Sequence, residues 1–324
     1  MNLTGTLSGS EILAVKNMVD NHRYNMPLEV RSTVNNVTSG ASLNIFKIDN
    51  SVARLDSVLE FRTESPASFN VLTTEVNAGV RELKRESGYS GVSKVLEINS
   101  SGLISTVSSL IGKNTSTTIY GYENQLPIAN VANAEPDHIL YSSFDNDSEH
   151  NFALDDNSGL NPDAYSGSQS VHFTTAGTNS LSGTVTQKGT SYYVTFFAKA
   201  ASTETVTVDF NLTQVGSVSI ANTSGGWKFY RIAINPANWT FGSSFGVKIN
   251  GSDGLKIDQV TFYPADARVS TVAYDPRYGV TSQTNPKGHT IFNEYDVHGR
   301  LVRQRDLDGN IIQQSTYETM VNQN

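Results

Sequence analysis

The sequence predicts an all-β protein in which a β-sandwich is inserted between segments of a repetitive β-sheet. Three observations carry that prediction. Apolar and polar residues alternate with period two in runs such as Leu28-Glu29-Val30-Arg31-Ser32-Thr33-Val34 and Leu43-Asn44-Ile45-Phe46-Lys47-Ile48, the pattern of half-buried strands. Between Glu135 and Asp266, short strand-like runs recur at regular spacing, separated by turns such as Ser224-Gly225-Gly226 and Asn250-Gly251-Ser252-Asp253-Gly254. Near the C-terminus the pairs Tyr274-Asp275 and Tyr295-Asp296 stand 21 residues apart, inside the range of stacked repeats.

Composition agrees with that class. A chain of 324 residues argues for two or three domains. Hydrophobic residues make up 37% and charged residues only 17%, so Ser, Thr, Asn and Gly fill the difference, as turn-rich sheets require. The formal net charge is -8 without a Lys/Arg cluster, so no nucleic-acid partner is expected. No apolar run approaches the roughly 18 residues of a membrane-spanning helix. Cysteine is absent, which excludes disulfides, zinc-thiolate sites and thiol nucleophiles. The opening Met1-Asn2-Leu3-Thr4-Gly5-Thr6 has neither a basic nor an apolar leader region, and we read the chain as a fragment of a longer exported protein.

Three segments follow in order. Residues 1–133 open with a short helix around Ile12–Val19 and continue as strands. Residues 134–266 carry the sandwich strands Ser170–Phe173, Tyr192–Ala198, Val206–Leu212, Ser217–Ile220, Trp227–Ile234, Phe245–Ile249 and Leu255–Tyr263. Small polar stretches, Ala132–Pro136 and Pro264–Ala267, border it as linkers do. Residues 267–324 hold the two Tyr-Asp copies. Repeats of this kind cannot bury a face alone, so the first segment is expected to pair with the third across the sandwich.

The stretches Tyr274-Asp275-Pro276-Arg277-Tyr278-Gly279-Val280, Glu294-Tyr295-Asp296-Val297-His298-Gly299-Arg300-Leu301 and Asp306-Leu307-Asp308-Gly309-Asn310 resemble the YD (RHS) repeat. Tyr89–Asn99 with its Ser100-Ser101-Gly102 turn resembles a degenerate copy. Ile119–Ala129 is similar to a strand of RHS-type proteins of the Bacteroidetes group, with Tyr120 where that pattern has Trp. The resemblance implies a structural section of a secreted or cell-surface shell, outside a bacterial outer membrane. Its implied partners are other segments or subunits of a larger surface or secretion assembly, including polymorphic-toxin and gliding machinery.

The middle segment resembles a carbohydrate-binding-module type jelly roll. The likeness rests on Tyr141-Ser142-Ser143-Phe144-Asp145, on Ala164–Val171, on Gly226-Trp227-Lys228-Phe229-Tyr230 and on Lys256-Ile257-Asp258-Gln259-Val260. It implies a structural Ca2+ ion held by the Asp145 and Asp258 carboxylates and by carbonyl oxygens of the Gly167 turn. The other reading of the same residues is that both aspartates accept hydrogen bonds from turn amides.

Strand alternation sorts the sandwich faces. Val194, Phe196 and Ala198 are expected in the core, with Tyr193 and Phe197 outward. Tyr230, Ile232 and Ile234 are expected in the core, with Trp227, Phe229 and Arg231 opposite. Asp209 and Asn211 flank the expected core residues Val208, Phe210 and Leu212. An outer face holding Tyr193, Phe197, Asp209, Asn211, Trp227, Phe229 and Arg231 has the chemistry a glycan needs, rings for C–H faces and polar groups for hydroxyls. The same face could instead dock on the repeat sheet.

No catalytic constellation is visible, and a non-enzymatic protein is expected. The six histidines lack metal-ligand spacing, and no nucleophile elbow, P-loop or dinucleotide fingerprint is present. His138 and His150 flank the acidic stretch Asp145–Glu149, which reads as a solvated loop. Asp155 and Asp156 are adjacent and would point to opposite faces of a strand. The readings carried forward are a scaffold that displays the jelly roll, a glycan-binding module for adhesion, and an accessory part of a larger machine or enzyme.

Overall fold

The computed structural model describes residues 9–23, 25–67, 73–77, 80–84, 88–145, 151–154, 158–174, 180–235 and 242–318. His150, Asp155, Asp156 and most of the acidic stretch lie outside the described residues. The chain forms two compact units, 1–98 with 106–115, and 99–105 with 116–324. Helix α1 (Gly9–Asp20) is followed by antiparallel strands in both units, so the chain is all-β apart from one helix and a single 3-10 turn among the described residues.

In the first unit, strands β1 (Glu29–Val34), β2 (Val37–Asp49), β3 (Val52–Ala67) and β6 (Ser90–Ile98) pair in sequence order, with β4 (Thr73–Asn77) and β5 (Val80–Lys84) forming a separate hairpin. Helix α1 buries Ala14 and Met18 against Phe46 and Ala53. Asn17 fixes the helix to the β2–β3 turn, accepting from the Ala53 amide at 3.1 Å and donating to the Ser51 carbonyl at 3.1 Å. Strand β7 (Ile104–Ser109) follows β6 in the chain.

The second unit contains β8 (Thr115–Gly121) and β9 (Leu126–Ala132), then the sandwich, then further strands of the repeat sheet. The sandwich strands are β10 (Leu140–Ser142), β11 (Ala153–Leu154), β12 (Ser158–Asn161), β13 (Ser170–Phe173), β14 (Ser180–Thr186), β15 (Tyr192–Lys199), β16 (Glu204–Phe210), β17 (Thr213–Ile220), β18 (Lys228–Ile234), β19 (Ser244–Gly251) and β20 (Lys256–Pro264). One sheet runs β12-β13-β20-β15-β18, with β10 also on β20; the other runs β11-β14-β19-β16-β17. Their facing sides enclose one core that includes Val194, Phe196, Phe210, Phe245 and Phe262.

Two strand expectations need correction. Leu212 is not core but 87% exposed. Asn211 and Leu212 both have positive φ, 44° and 71°, and form the two-residue hairpin turn between β16 and β17. Strand β14 was not expected at all. Its middle inward position is Gly183, which hides the alternation between Leu181 and Val185; a Cβ there would lie 2.7 Å from Leu140.

Strand β21 (Arg268–Asp275) leaves the sandwich and pairs antiparallel with β9, which enters it, in the register Arg268 to Ala132. Strands β22 (Gly279–Thr284), β23 (Thr290–Tyr295), β24 (Leu301–Arg305) and β25 (Ile311–Gln314) continue the sheet as hairpins.

Among the described residues one turn recurs four times, opened by Asn99, Asn285, Asp296 and Asp306. In each, the opening residue donates its amide to the carbonyl four residues on, and accepts at its own carbonyl from the glycine three residues on. Its side-chain Oδ1 then accepts the amide of the fifth residue, at 2.9, 3.1, 3.0 and 2.8 Å. An Asx side chain satisfying its own turn is why Asn or Asp opens each copy. The Tyr-Asp spacing alone passes over the copy Asn285-Pro286-Lys287-Gly288-His289.

A second feature recurs beside it. The hydroxyls of Tyr120, Tyr295 and Tyr317 donate to the carbonyls of Ile104, Val280 and Leu301, which lie 16, 15 and 16 residues earlier. Tyr274 donates to Pro127 in the same manner but 147 residues earlier. The excess length is the sandwich. The repeat geometry therefore runs from β9 to β21 as though the sandwich were absent.

Candidate functional site

The inner face of β15 is as the alternation predicts, with Val194, Phe196 and Ala198 fully buried. The outer face of this sheet is largely covered. Phe197 is only 1% exposed and stacks on Tyr165 with centroids 3.5 Å apart. Phe229 lies 5.2 Å from Phe197, and Tyr165 meets Phe292 of β23 edge-on at 5.5 Å. Gly288 is pressed onto Phe229, for an added Cβ would come within 2.8 Å of the ring; its φ of 81° also suits glycine alone. Phe197 and Phe229 are thus packing residues beneath the repeat strands, which corrects the expectation of an open aromatic platform. Half-buried Trp227 packs at the rim of the same cluster, 6.3 Å from Tyr165.

Asp209 and Asn211 do not join this face. Strand β16 belongs to the opposite sheet, so its outward side chains lie on the far side of the sandwich. There Asp209 accepts from Asn250 at 2.9 Å, and Asn211 Oδ1 accepts the amide of Gly246 on the neighbouring strand β19 at 2.7 Å. Alternation assigns a residue to a face of its own strand but not to one of two sheets.

Tyr193 and Arg231 remain accessible, and the structure brings them together. The Arg231 guanidinium sits 4.8 Å above the Tyr193 ring, a cation–π contact. Both line a cleft of about 650 Å³. Tyr263 adds a second ring 5.9 Å from Tyr193. The rest of the wall comes from the repeat strands: Arg268 at the start of β21, and Lys287 and His289 from the turn that Asn285 closes. These three functional candidates were missed because they stand outside the sandwich segment and follow no motif.

The two aspartates divide the Gly167 turn between them, one taking amides before the glycine and the other amides after it. Asp145 Oδ1 accepts the Ser168 amide at 2.6 Å, the Ser168 hydroxyl at 2.9 Å and the Gln169 amide at 3.1 Å. Asp258 Oδ2 accepts the amides of Tyr165 and Ser166 at 2.8 and 3.1 Å, and its Oδ1 accepts the Gln259 amide at 2.7 Å. The turn therefore offers amides to both carboxylates. Burial pushes the Asp145 carboxyl up, and it pushes Asp258 well above the usual carboxylate range, with the Asp145 charge adding to the effect. Asp145 Oδ2 is buried and meets no close hydrogen-bond donor, the Ser143 hydroxyl also stabilises this carboxylate, and Gly167 (φ 70°) is needed there because a Cβ would fall 1.8 Å from that oxygen. Phe144 and Gln259, each next to one of the aspartates, hold positive φ of 59° and 52°. Among the described residues, a lone carboxylate–histidine group forms at the sandwich entrance, Glu135, Asp137 and His138, and its acids are exposed.

No protein-family model and no curated protein sequence matches the chain. Among solved structures, a native family 35 carbohydrate-binding module from Clostridium thermocellum aligns with TM-score 0.31 and 17% identity, over 39% of this chain and 97% of its own. A module of Cellvibrio mixtus lichenase 5A, solved with cellotriose, gives 0.31 and 13% over 39% and 96%. The C-terminal family 6 module of a marine laminarinase from Zobellia galactanivorans gives 0.27 and 15% over 33% and 89%. At these scores the likeness identifies neither a family nor a ligand. No helix among the described residues is long and apolar enough to cross a membrane.

Proposed function

We propose that this chain is a non-enzymatic binding section of an RHS-type protein at a bacterial cell surface, in which a repeat sheet carries a jelly roll and a cleft at their junction holds a glycan. The observation that carries this reading is the cleft itself. It combines the half-exposed ring of Tyr193, the Arg231 guanidinium over it, and walls drawn from both parts of the unit. Rings with convergent polar groups in a concavity of this size suit a sugar chain. The tyrosine contacts that continue across the insertion support the scaffold half of the proposal. Other segments or subunits of a surface or secretion assembly are its proposed neighbours, through the repeats.

The test is retention on a glycan microarray by the intact chain. Tyr193→Ala combined with Arg231→Ala should lower retention by at least about tenfold with unchanged thermal melting. Normal retention by that double variant would exclude the cleft. Phe229 is unsuited to this test, since its loss would disturb the packing under Gly288.

A structural calcium ion is proposed at Asp145 and Asp258. Its support is a pair of buried carboxylates with no Lys or Arg ion pair among the described residues, neighbours close enough for the Asp145 charge to raise Asp258 further. A hard cation would balance these charges and hold the Gly167 turn to β20. Melting temperature should then rise with added CaCl2 and fall on chelation. Insensitivity of the wild type, or equal sensitivity of Asp145→Asn, would exclude the ion.

A further inference from the structure

We propose that the ligand of the junction cleft is an anionic glycan, with carboxylated or sulfated sugar rings, and that the repeat strands select it. The proposal rests on the glycan reading above and adds its chemical class. The chain carries a net charge of -8, yet among the described residues no Asp or Glu lines this cleft, while Arg231, Arg268, Lys287 and His289 do. Arg231, Arg268 and Lys287 take part in none of the ion pairs among the described residues, in a molecule where many other basic side chains are paired. The nearest acid in sequence, Asp266, is engaged elsewhere: it accepts from Asn133 at 2.8 Å and faces Lys188 at 3.5 Å.

Convergent like charges without counter-charges raise one another's energy, and an anion in the cleft removes that cost. The groups also suit an anion borne on a sugar. The Arg231 guanidinium lies over the Tyr193 ring at 4.8 Å, and its N–H fork suits paired bonds to a carboxylate or sulfate. Tyr193 and Tyr263 supply ring surface for C–H faces. The volume of about 650 Å³ far exceeds what an inorganic anion fills.

Selection by the repeat strands follows from how Lys287 and His289 are held. The Asn285 side chain accepts both of their amides, at 2.9 and 3.1 Å, and Gly288 between them is seated on Phe229. The turn is thus an arm, braced by its own hydrogen bonds and by Phe229, that adds Lys287 and His289 to the one basic group, Arg231, that the sandwich supplies at this place.

The experiment is calorimetric titration of the intact chain with tetragalacturonate, a κ-carrageenan tetrasaccharide, cellotetraose and sodium sulfate. One of the two acidic chains should bind at least about tenfold more tightly than cellotetraose, and should weaken as NaCl is raised. Arg268→Ala and Lys287→Ala should each weaken that binding by several-fold with unchanged melting, and Arg268→Lys should retain most of it. Equal binding of cellotetraose would overturn the anionic class while leaving a glycan site. Acidic-chain binding untouched by both alanine variants would overturn selection by the repeat strands. Sulfate competing as well as the acidic chain would mean an anion site without sugar recognition. Absence of binding by every sugar would remove the glycan reading too.

Discussion

Phe197 and Gly288 show what single residues do at this junction. Phe197 has lost nearly all contact with water, so Phe197→Ala should destabilise the chain by about 3–5 kcal/mol, read from urea unfolding. An exposed platform residue would cost far less when truncated, so a loss below about 1 kcal/mol would contradict the packed face. Gly288→Ala combines a strained φ with a collision against Phe229 and should cost about 1–3 kcal/mol. Its effect should vanish in a Phe229→Ala background except for the backbone part, which a double-mutant cycle measures. Alternation marked Phe197 as outward, and it is. What covers an outward face is a long-range fact that its own strand does not encode. Arg231 and Tyr193 were legible for the same reason in reverse, because the repeat strands leave them partly open to the cleft.

At the scale of the element, the repeat hairpins rest on two devices, the Asx-closed turn and the tyrosine hydroxyl bond to the strand before. Tyr274→Phe and Tyr295→Phe should each cost about 1 kcal/mol, since each removes one partly buried hydrogen bond. Similar values for the two would show that the contact spanning the insertion equals a contact within the repeats. A Tyr274→Phe cost near zero would show it does not. The turns were legible as Gly after a Tyr-Asp pair, but the recurring unit is Asx-x-x-Gly, and the tyrosine need not precede it. That is why Asn285–Gly288 escaped notice while Asp296–Gly299 did not. Strand β14 escaped for a different cause, a glycine at its central inward position. Asp209 was misplaced because pairing order, which sends β16 to the second sheet, is not written in its alternation.

Across the whole molecule, acid stability should respond to Asp163, which bonds the ammonium groups of both Lys199 on β15 and Lys256 on β20. These contacts hold its carboxyl below the usual carboxylate range. A depressed native pKa means the contribution is present above the unfolded value of about 3.9 and is lost as pH falls through the native one. Asp163→Asn should therefore lower stability at neutral pH and flatten the decline below about pH 4. An unchanged acid limb in that variant would show that the two lysine contacts do not carry it.

The bond from Tyr274 to Pro127 also bears on the order of folding. Neighbouring repeats close loops of 15 or 16 residues, whereas this one closes 147. With the sandwich unfolded, that closure costs about 2 kcal/mol more in chain entropy than its neighbours. Once the sandwich is folded, its entry and exit strands already lie side by side, and the penalty is gone. Folding of the sandwich is therefore expected to favour the joining of β9 to β21, with the inserted domain acting as the hinge pin of the repeat sheet on its two sides.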